Sequence, residues 1–192
     1  MTLMLLGLVL FLGAHSTQMI APGWRAQRVA RMGLLPWKAL YAVVSIAGFV
    51  LIIVGFGQAR QAPLLAWSPP LGLQHVNHLL TLAAFILIVA AYVPRNHFKA
   101  WLGHPMLAGV ALWAFGHLLV TRFQHDLVLF GAFLAWALVD FVISRRRDRR
   151  AGVQYPPGTL AGDAIVVVVG VLAWAVFAFW LHLALIGVKP VG

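Results

Sequence analysis

The sequence contains no cysteine and no glutamate, and only 9% of its residues are charged. Without cysteine the chain can form no disulfide, no thiolate metal site and no covalent c-type haem attachment. A soluble domain usually carries about 25% charged residues, whereas 62% of these 192 residues are hydrophobic. The composition therefore predicts an integral membrane protein, with residues 1–192 forming a single transmembrane domain.

The charge that is present is strongly basic. Fourteen lysine and arginine residues stand against four carboxylates, and the formal net charge is +10. In a soluble protein this balance would favour nucleic-acid binding. Here the basic residues lie in loops between apolar runs, where membrane orientation and contact with anionic lipid explain them more simply. We therefore predict the lipid bilayer as a partner, and no nucleic acid.

Six apolar runs have roughly the length expected of membrane-spanning helices, which is about 17–25 residues. The predicted fold class is an all-α, polytopic transmembrane helical bundle with about six spans. The spans are expected near residues 2–19, 37–56, 71–93, 101–120, 127–143 and 163–187. The first run has no positively charged start and no A-x-A-like site, so we expect a retained span. The arginine run at 145–150 should end the fifth span, and Asp163 should cap the sixth.

The loops predict the orientation of these spans. Eleven lysine and arginine residues fall on one set of alternate loops and three on the other. Such a bias on short loops marks the cytoplasmic side, so both termini should be non-cytoplasmic. In the first loop, Arg25, Arg28 and Arg31 share one face of a short helix at the membrane surface, or belong to a solvated basic loop.

Two of the eight histidines should lie deepest in the membrane. Measured from boundaries near Trp24 and Pro105, His15 lies ~13 Å deep and His117 ~18 Å deep, at 1.5 Å per residue. Two imidazoles at similar depth on different helices can hold a haem iron between them. Gly13, Gly109 and Gly116 would allow a macrocycle or a neighbouring helix to approach closely. The alternative is that both histidines join helices through hydrogen bonds.

The other polar candidates have simpler expected roles. His97 and His125 are predicted to be solvated in loops, and Asp126 and Asp148 are also placed in loops. His78, which shares a helix face with His75, is an alternative ligand but is expected to make interfacial hydrogen bonds. His104 is the rival of His117 as a ligand; it lies about 140° away round the helix and is expected to be structural. Asp140 could transfer protons, although an ion pair with Arg145–Arg147 is favoured.

An ordered series of motifs resembles the NnrU family over nearly the whole chain. The motifs are Ala14-His15-Ser16, Trp37-Lys38-x-x-Tyr41, Ser45-x-x-Gly48, Gly55-x-x-x-Ala59-Arg60, Ala90-Ala91-Tyr92-x-Pro94, His104-Pro105-Met106-Leu107, Leu112-Trp113-Ala114-x-x-His117 and Phe130-Gly131-x-x-x-Ala135-Trp136-x-x-x-Asp140. The resemblance implies a multi-pass protein of the bacterial inner membrane, associated with nitrite and nitric oxide reduction (denitrification), in which a respiratory or denitrification complex is a partner.

The NnrU family is similar to plant and cyanobacterial zeta-carotene isomerases. Those enzymes use haem b to isomerise a cis double bond in a lipid-soluble polyene, and their haem histidines match His15 and His117. The resemblance thus implies haem b as cofactor, with these two residues as axial ligands of the iron. A lipid-soluble polyene or quinone is the implied small-molecule partner. The plant enzymes have a cysteine where this chain has Ala114, so a thiolate ligand is excluded there.

Two other functions remain as alternatives. The first is a non-catalytic helper of a respiratory membrane complex, in which the histidines only connect helices. The second is a membrane methyltransferase, because Gly103-His104-Pro105 is similar to part of a motif in the isoprenylcysteine carboxyl methyltransferases. Whether the chain is an enzyme is left open by the residues alone.

Overall fold

The computed structural model describes residues 1–70 and 72–190, and most of these residues are helical. The helices are α1 (Thr2–His15), α2 (Thr17–Ile20), α3 (Pro22–Met32), α4 (Leu34–Ala59), α5 (Leu73–Tyr92), α6 (His97–Leu102), α7 (Pro105–Val120), α8 (Gln124–Arg150), α9 (Leu160–Val176) and α10 (His182–Ile186). A π-helical turn, Phe177–Leu181, joins α9 to α10. Within the described residues, β structure is limited to one isolated bridge, between Leu65 and Phe123. The all-α prediction is confirmed.

Four helical segments in the described part of the chain are long and apolar enough to cross a membrane: α4, α5, α8 and the stretch Leu160–Ile186. Helices α1 and α7 are also apolar but have only 14 and 16 residues. At 1.5 Å per residue they measure ~21 and ~24 Å, less than the ~30 Å hydrocarbon core. Each of these two short helices carries one of the two histidines that are predicted to bind haem.

The apolar faces of the long helices lack protein cover in the described structure. Val43 and Ile46 of α4 keep 64% and 63% of their surface exposed, and Leu172 of α9 keeps 60%. Soluble proteins rarely leave such large contiguous apolar areas exposed. Lipid is the solvent that suits these faces, and the protein is therefore a membrane protein.

Helix α8 does not end where the apolar run of the fifth predicted span ends. Helix α8 continues through the arginine run to Arg150, and it also contains Asp126 and Asp148, which were expected in loops. Arginine is among the better helix formers, and leaving the apolar region does not break a helix. The turn comes after the run, where Gly152 adopts a positive φ of 65°.

The stretch 101–120 is two helices instead of one continuous span. Gly103 has a φ of +71°, a conformation that favours glycine, and it ends α6 before α7 begins at Pro105. His104 lies between the two helices, so its predicted angle to His117 round a shared helix was wrong. The predicted cap was wrong as well: the Thr159 hydroxyl, and not Asp163, accepts the hydrogen bond that caps α9.

The helical contacts divide the chain into two units. The first comprises Met1–Pro69 with Thr121–Trp136, and the second comprises Pro70–Val120 with Ala137–Gly192. In the first unit, α1 packs against α4 around buried Met4, Leu8 and Ile52. In the second, α5 packs against α7 and α9.

Glycines bring helix backbones into direct contact in both units. A Cβ on Gly7 of α1 would lie 2.6 Å from the backbone nitrogen of Ile52, and one on Gly55 of α4 would overlap the backbone of Met4. A Cβ on Gly109 of α7 would lie 2.9 Å from the carbonyl oxygen of Ala84. The predicted close approach is thus confirmed at Gly109, whereas Gly13 has no atom within 4 Å of an added Cβ.

The arginine-rich first loop forms a helix, which is the first of its two predicted alternatives. Helix α3 begins with Pro22, whose fixed φ suits the first helical position. The guanidinium of Arg28 lies 5.3 Å above the Trp24 ring, and Trp24 packs edge-on against Trp37 at 5.7 Å. The amphipathic character of this exposed helix is typical of one lying on a membrane surface.

Candidate functional site

His15 is the last residue of α1 and lies in an aromatic environment of the first unit. Its ring centroid is 4.2 Å from that of Phe11, 5.2 Å from Tyr41 of α4 and 6.1 Å from Trp136 of α8. The His15 and Trp136 rings are nearly perpendicular, at 89°. Three helices thus contribute to the surroundings of one half-buried imidazole.

A hydrogen bond to its own helix sets the chemistry of this imidazole. His15 Nδ1 lies 2.7 Å from the carbonyl oxygen of Phe11, one turn earlier. Because a carbonyl oxygen only accepts, Nδ1 must carry the proton. In the neutral ring the lone pair is then on Nε2, which is the nitrogen able to coordinate a metal. Metal-binding histidines commonly donate their other ring nitrogen to a carbonyl or carboxylate in this way.

Two buried polar atoms nearby lack a hydrogen-bond partner among the described residues. They are the Ser45 hydroxyl oxygen and Trp136 Nε1. Ser45 lies one turn after Tyr41 on α4, so the two share a helix face. Leaving a buried donor unpaired costs about 1–3 kcal/mol, so each such atom calls for an explanation.

His117 shows the same local arrangement in the second unit. Its Nδ1 lies 2.8 Å from the carbonyl oxygen of Trp113, one turn earlier on α7, so Nε2 again carries the lone pair. The Trp113 ring lies 5.3 Å from the imidazole. Ala114, which stands where the plant isomerases have cysteine, is fully buried.

The residue before His117 is held against α5. A Cβ on Gly116 would lie 2.6 Å from the side-chain oxygen of Asn77, a buried atom without a hydrogen-bond partner among the described residues. Asn77 begins a short polar series, since its carbonyl accepts from the Thr81 hydroxyl at 2.9 Å and Thr81 in turn accepts from Trp174 Nε1 at 3.1 Å. The position of α7 beside α5 is therefore set by close packing at the residue next to the histidine.

His78 differs from these two histidines in the nitrogen that it uses. Its Nε2 lies 3.0 Å from the carbonyl oxygen of Pro190, so Nε2 is the donor. The bond connects the start of α5 to the chain after α10. It agrees with the expected hydrogen-bonding role.

His104 belongs to a polar cluster at the end of α8, which we call the His104 cluster: His104, Arg145, Asp148 and Tyr155. His104 Nε2 lies 2.7 Å from the Asp148 carboxylate, and the Tyr155 hydroxyl donates to the same carboxylate oxygen. The guanidinium of Arg145 lies 5.8 Å from the Tyr155 ring centroid. The cluster ties the loop after α8 to the turn between α6 and α7.

Burial raises the pKa of the Tyr155 hydroxyl above its usual range, and the bond to the anionic Asp148 adds to this shift. Tyr155 therefore remains a neutral donor at physiological pH. Gly103 is required beside it, because a Cβ there would lie 2.5 Å from the Tyr155 hydroxyl.

Asp140 does not form the predicted ion pair with the arginines. Within the described chain its carboxylate accepts instead from the Ser144 hydroxyl at 2.9 Å, and Arg147 reaches that hydroxyl at 3.5 Å. Arg147 lies 3.6 Å from Asp148. Asp140 and Ser144 are four residues apart on α8, so their side chains lie on one face of the helix and can bond to each other.

Two histidines predicted to be solvated are instead packed or paired. His97 Nδ1 lies 2.6 Å from Asp163, and its backbone nitrogen donates to the same carboxylate at 2.8 Å. His125 is only 4% exposed and stacks on Phe123 with 6° between the ring planes. Hydropathy alone could not predict these contacts, because it is a local property and the partner of His97 is 66 residues away in the sequence.

Other candidate sites in the described residues are limited. No group of three or more histidine, cysteine or acidic residues within 1–70 and 72–190 is placed to hold a metal ion. A cavity of about 190 Å³ lies beside His125 in the first unit, between Gln58, Leu64 and Gln124. Neither His15 nor His117 lines it.

Comparison with known proteins gave one finding. The family model described as "NnrU protein" matches residues 3–190. No curated protein and no solved structure matched the chain. The family match covers nearly the whole sequence, including both histidines.

Proposed function

The chain belongs to the NnrU family, and we propose that it is a haem b protein of the bacterial inner membrane in which the imidazoles of His15 and His117 would hold the haem iron. The observation that carries this proposal is the matching hydrogen bond of the two rings. In each, Nδ1 donates to the carbonyl four residues earlier, at 2.7 and 2.8 Å. The donor chemistry of both residues therefore suits an iron ligand.

The same bonds weigh against the helper alternative, in which histidines only connect helices. His97 and His104 do connect separate segments through Asp163 and Asp148. The Nδ1 bonds of His15 and His117 instead run within their own helices. Such bonds fix the orientation of each imidazole relative to its own helix, as is common for metal-binding histidines.

When bound, haem b supplies a one-electron redox couple or a Lewis-acidic iron, which suits a role linked to denitrification or the cis–trans isomerisation of a lipid-soluble polyene. The chain's own contribution is to hold each imidazole in one tautomer beside aromatic side chains. Because position 114 is alanine, no thiolate at this position would compete with the histidines for the iron.

The test is haem quantification on protein purified in detergent from haem-replete cells. We expect a Soret band in the wild type, a weakened band in His15→Ala and in His117→Ala, and none in the double variant. His182→Ala is the matched control, because its Nδ1 also bonds a carbonyl, that of Val188 at 2.7 Å, but at an exposed position. Fresh wild-type membranes without a haem band would disprove the proposal.

We also propose the topology predicted from the loop charges, with six spans and both termini outside the cytoplasm. It requires the two shorter helices, α1 and α7, to cross together with the four longer segments. Local thinning of the bilayer or snorkelling of flanking residues accommodates short helices at modest cost.

A further inference from the structure

Two buried donors lie near His15 with nothing in the described structure to receive their hydrogens. Trp136 Nε1 only donates, and the Ser45 hydroxyl is a donor that can also accept. Ordinary packing does not explain them, because buried polar groups in native proteins are nearly always paired. In a membrane the alternative of bulk water is absent as well.

Both donors belong to helices of the first unit that contact the His15 ring. The Trp136 ring approaches the imidazole edge-on, with 6.1 Å between centroids. Tyr41 lies 5.2 Å from that imidazole, and Ser45 follows it by one helical turn on α4. The indole N–H and the hydroxyl thus come from two different helices, α8 and α4, each of which places an aromatic ring beside this imidazole.

Phe11, whose ring lies against His15, also contacts other aromatic rings. Phe11 lies 6.0 Å from Phe49 and 5.9 Å from Phe133, measured between ring centroids. Flat apolar ligands suit such surfaces, which offer large contact area with little loss of side-chain freedom. A few placed polar groups in an apolar pocket then select the ligand's orientation.

We propose that Ser45 and Trp136 bind an acceptor oxygen of a flat, mainly apolar ligand that lies beside His15. The oxygen is a carboxylate or a carbonyl, because both protein groups can donate to it. Two ligands carry this chemistry: haem, through a propionate carboxylate, and a quinone, through a ring carbonyl. The haem source rests on the proposed function above, whereas the quinone source does not.

The experiment compares binding by purified full-length protein and its Ser45→Ala and Trp136→Phe variants. The probes are haem b, haem b dimethyl ester and decylubiquinone, each titrated in detergent. Ser45→Thr retains the hydroxyl, and Trp180→Phe is the matched indole control because Trp180 is 65% exposed. Circular dichroism and thermal unfolding establish that each variant is folded.

If the acceptor is a haem propionate, both variants weaken haem b binding about five- to tenfold, as expected for one lost hydrogen bond. They weaken binding of the dimethyl ester less than binding of haem b, because an ester carbonyl is a weaker acceptor than a charged carboxylate. If the acceptor is a quinone carbonyl, the variants weaken decylubiquinone binding by the same factor and leave haem binding unchanged. Ser45→Thr and Trp180→Phe should resemble the wild type in either case.

Folded variants that bind every probe like the wild type would overturn the inference, and so would a wild type that binds no probe. A wild type that binds decylubiquinone without haem would instead refute the proposed function and leave this inference standing. Should one variant fail to fold, the other decides, because each removes a different donor.

Discussion

At the scale of single residues, the hydrogen bonds of the histidines distinguish their roles. His15 and His117 donate through Nδ1 to their own helices, whereas His78 donates through Nε2 to Pro190. The nitrogen that carries the proton decides which nitrogen can act as a ligand. Eight histidines in one sequence look alike until these partners are known.

Tyr155→Phe tests the His104 cluster. Removing the hydroxyl deletes its bond to Asp148, and we expect the free energy of unfolding to fall by about 1–2 kcal/mol. For a chain of this size that lowers Tm by about 2–8 °C in detergent. Tyr92→Phe is the control, because Tyr92 is 74% exposed and its Tm should not change. Equal effects of the two substitutions would show that the cluster adds no stability.

The same tyrosine predicts a dependence on pH. Because its pKa is raised in the folded protein, folding favours the protonated hydroxyl. Its contribution is complete below the unfolded pKa of about 10 and is lost as pH rises through the higher folded value. The Tm difference between wild type and Tyr155→Phe should therefore be constant from about pH 7 to 9 and shrink above about 10. A difference that vanished at neutral pH would contradict this assignment.

At the scale of helices, backbone contact through glycine determines how α1 meets α4. Gly7 and Gly55 lie where any side chain would enter the opposing backbone, while Gly13 and Gly57 have no atom within 4 Å of an added Cβ. Small residues at helix contacts are the usual basis of packing in membranes, where lipid removes the hydrophobic drive for association.

Gly55→Ala tests this contact. The added Cβ would overlap the backbone of Met4 on α1, so we expect a loss of about 1–3 kcal/mol in unfolding free energy. Gly57→Ala, two residues later on the same helix, should leave stability unchanged or raise it slightly through helix propensity. Thermal unfolding in detergent measures both. A Gly55→Ala protein as stable as the wild type would mean that α1 does not pack closely on α4.

For the whole molecule, the number of spans is the main quantity to test. The chain contains no cysteine, so single cysteines can be introduced without a background signal. Gln27→Cys, Ala62→Cys and Ala151→Cys occupy α3, the loop after α4 and the loop after α8. Labelling with a membrane-impermeant maleimide in spheroplasts reports which side each occupies.

With six spans, residue 62 should be labelled in intact spheroplasts, and residues 27 and 151 only after permeabilisation. If α1 and α7 did not cross, four spans would place residues 62 and 151 on the same side. Val188→Cys, beyond α10, should label together with residue 62 in the six-span protein. Joint labelling of 62 and 151 would therefore exclude the proposed topology.

Hydropathy located the helices well because the length of an apolar run is a local property. The start of α5 follows from breakers within a few residues, and the arginine spacing allowed a helix at α3. The extension of α8 to Arg150 did not follow, because the end of an apolar run was taken for the end of a helix. The break at Gly103 was also missed, since a lone glycine within an apolar run is tolerated in many helices.

The amino-acid sequence by itself determined that this is a helical membrane protein of the NnrU family, because composition and an ordered set of motifs require no contacts to be read. Tertiary structure alone decided which polar groups meet. His97 finds Asp163 and His104 finds Asp148 across 66 and 44 residues. It also leaves the Ser45 hydroxyl and Trp136 Nε1 without a hydrogen-bond partner among the described residues. Partners so distant along the chain depend on how helices pack, and no local pattern encodes that packing.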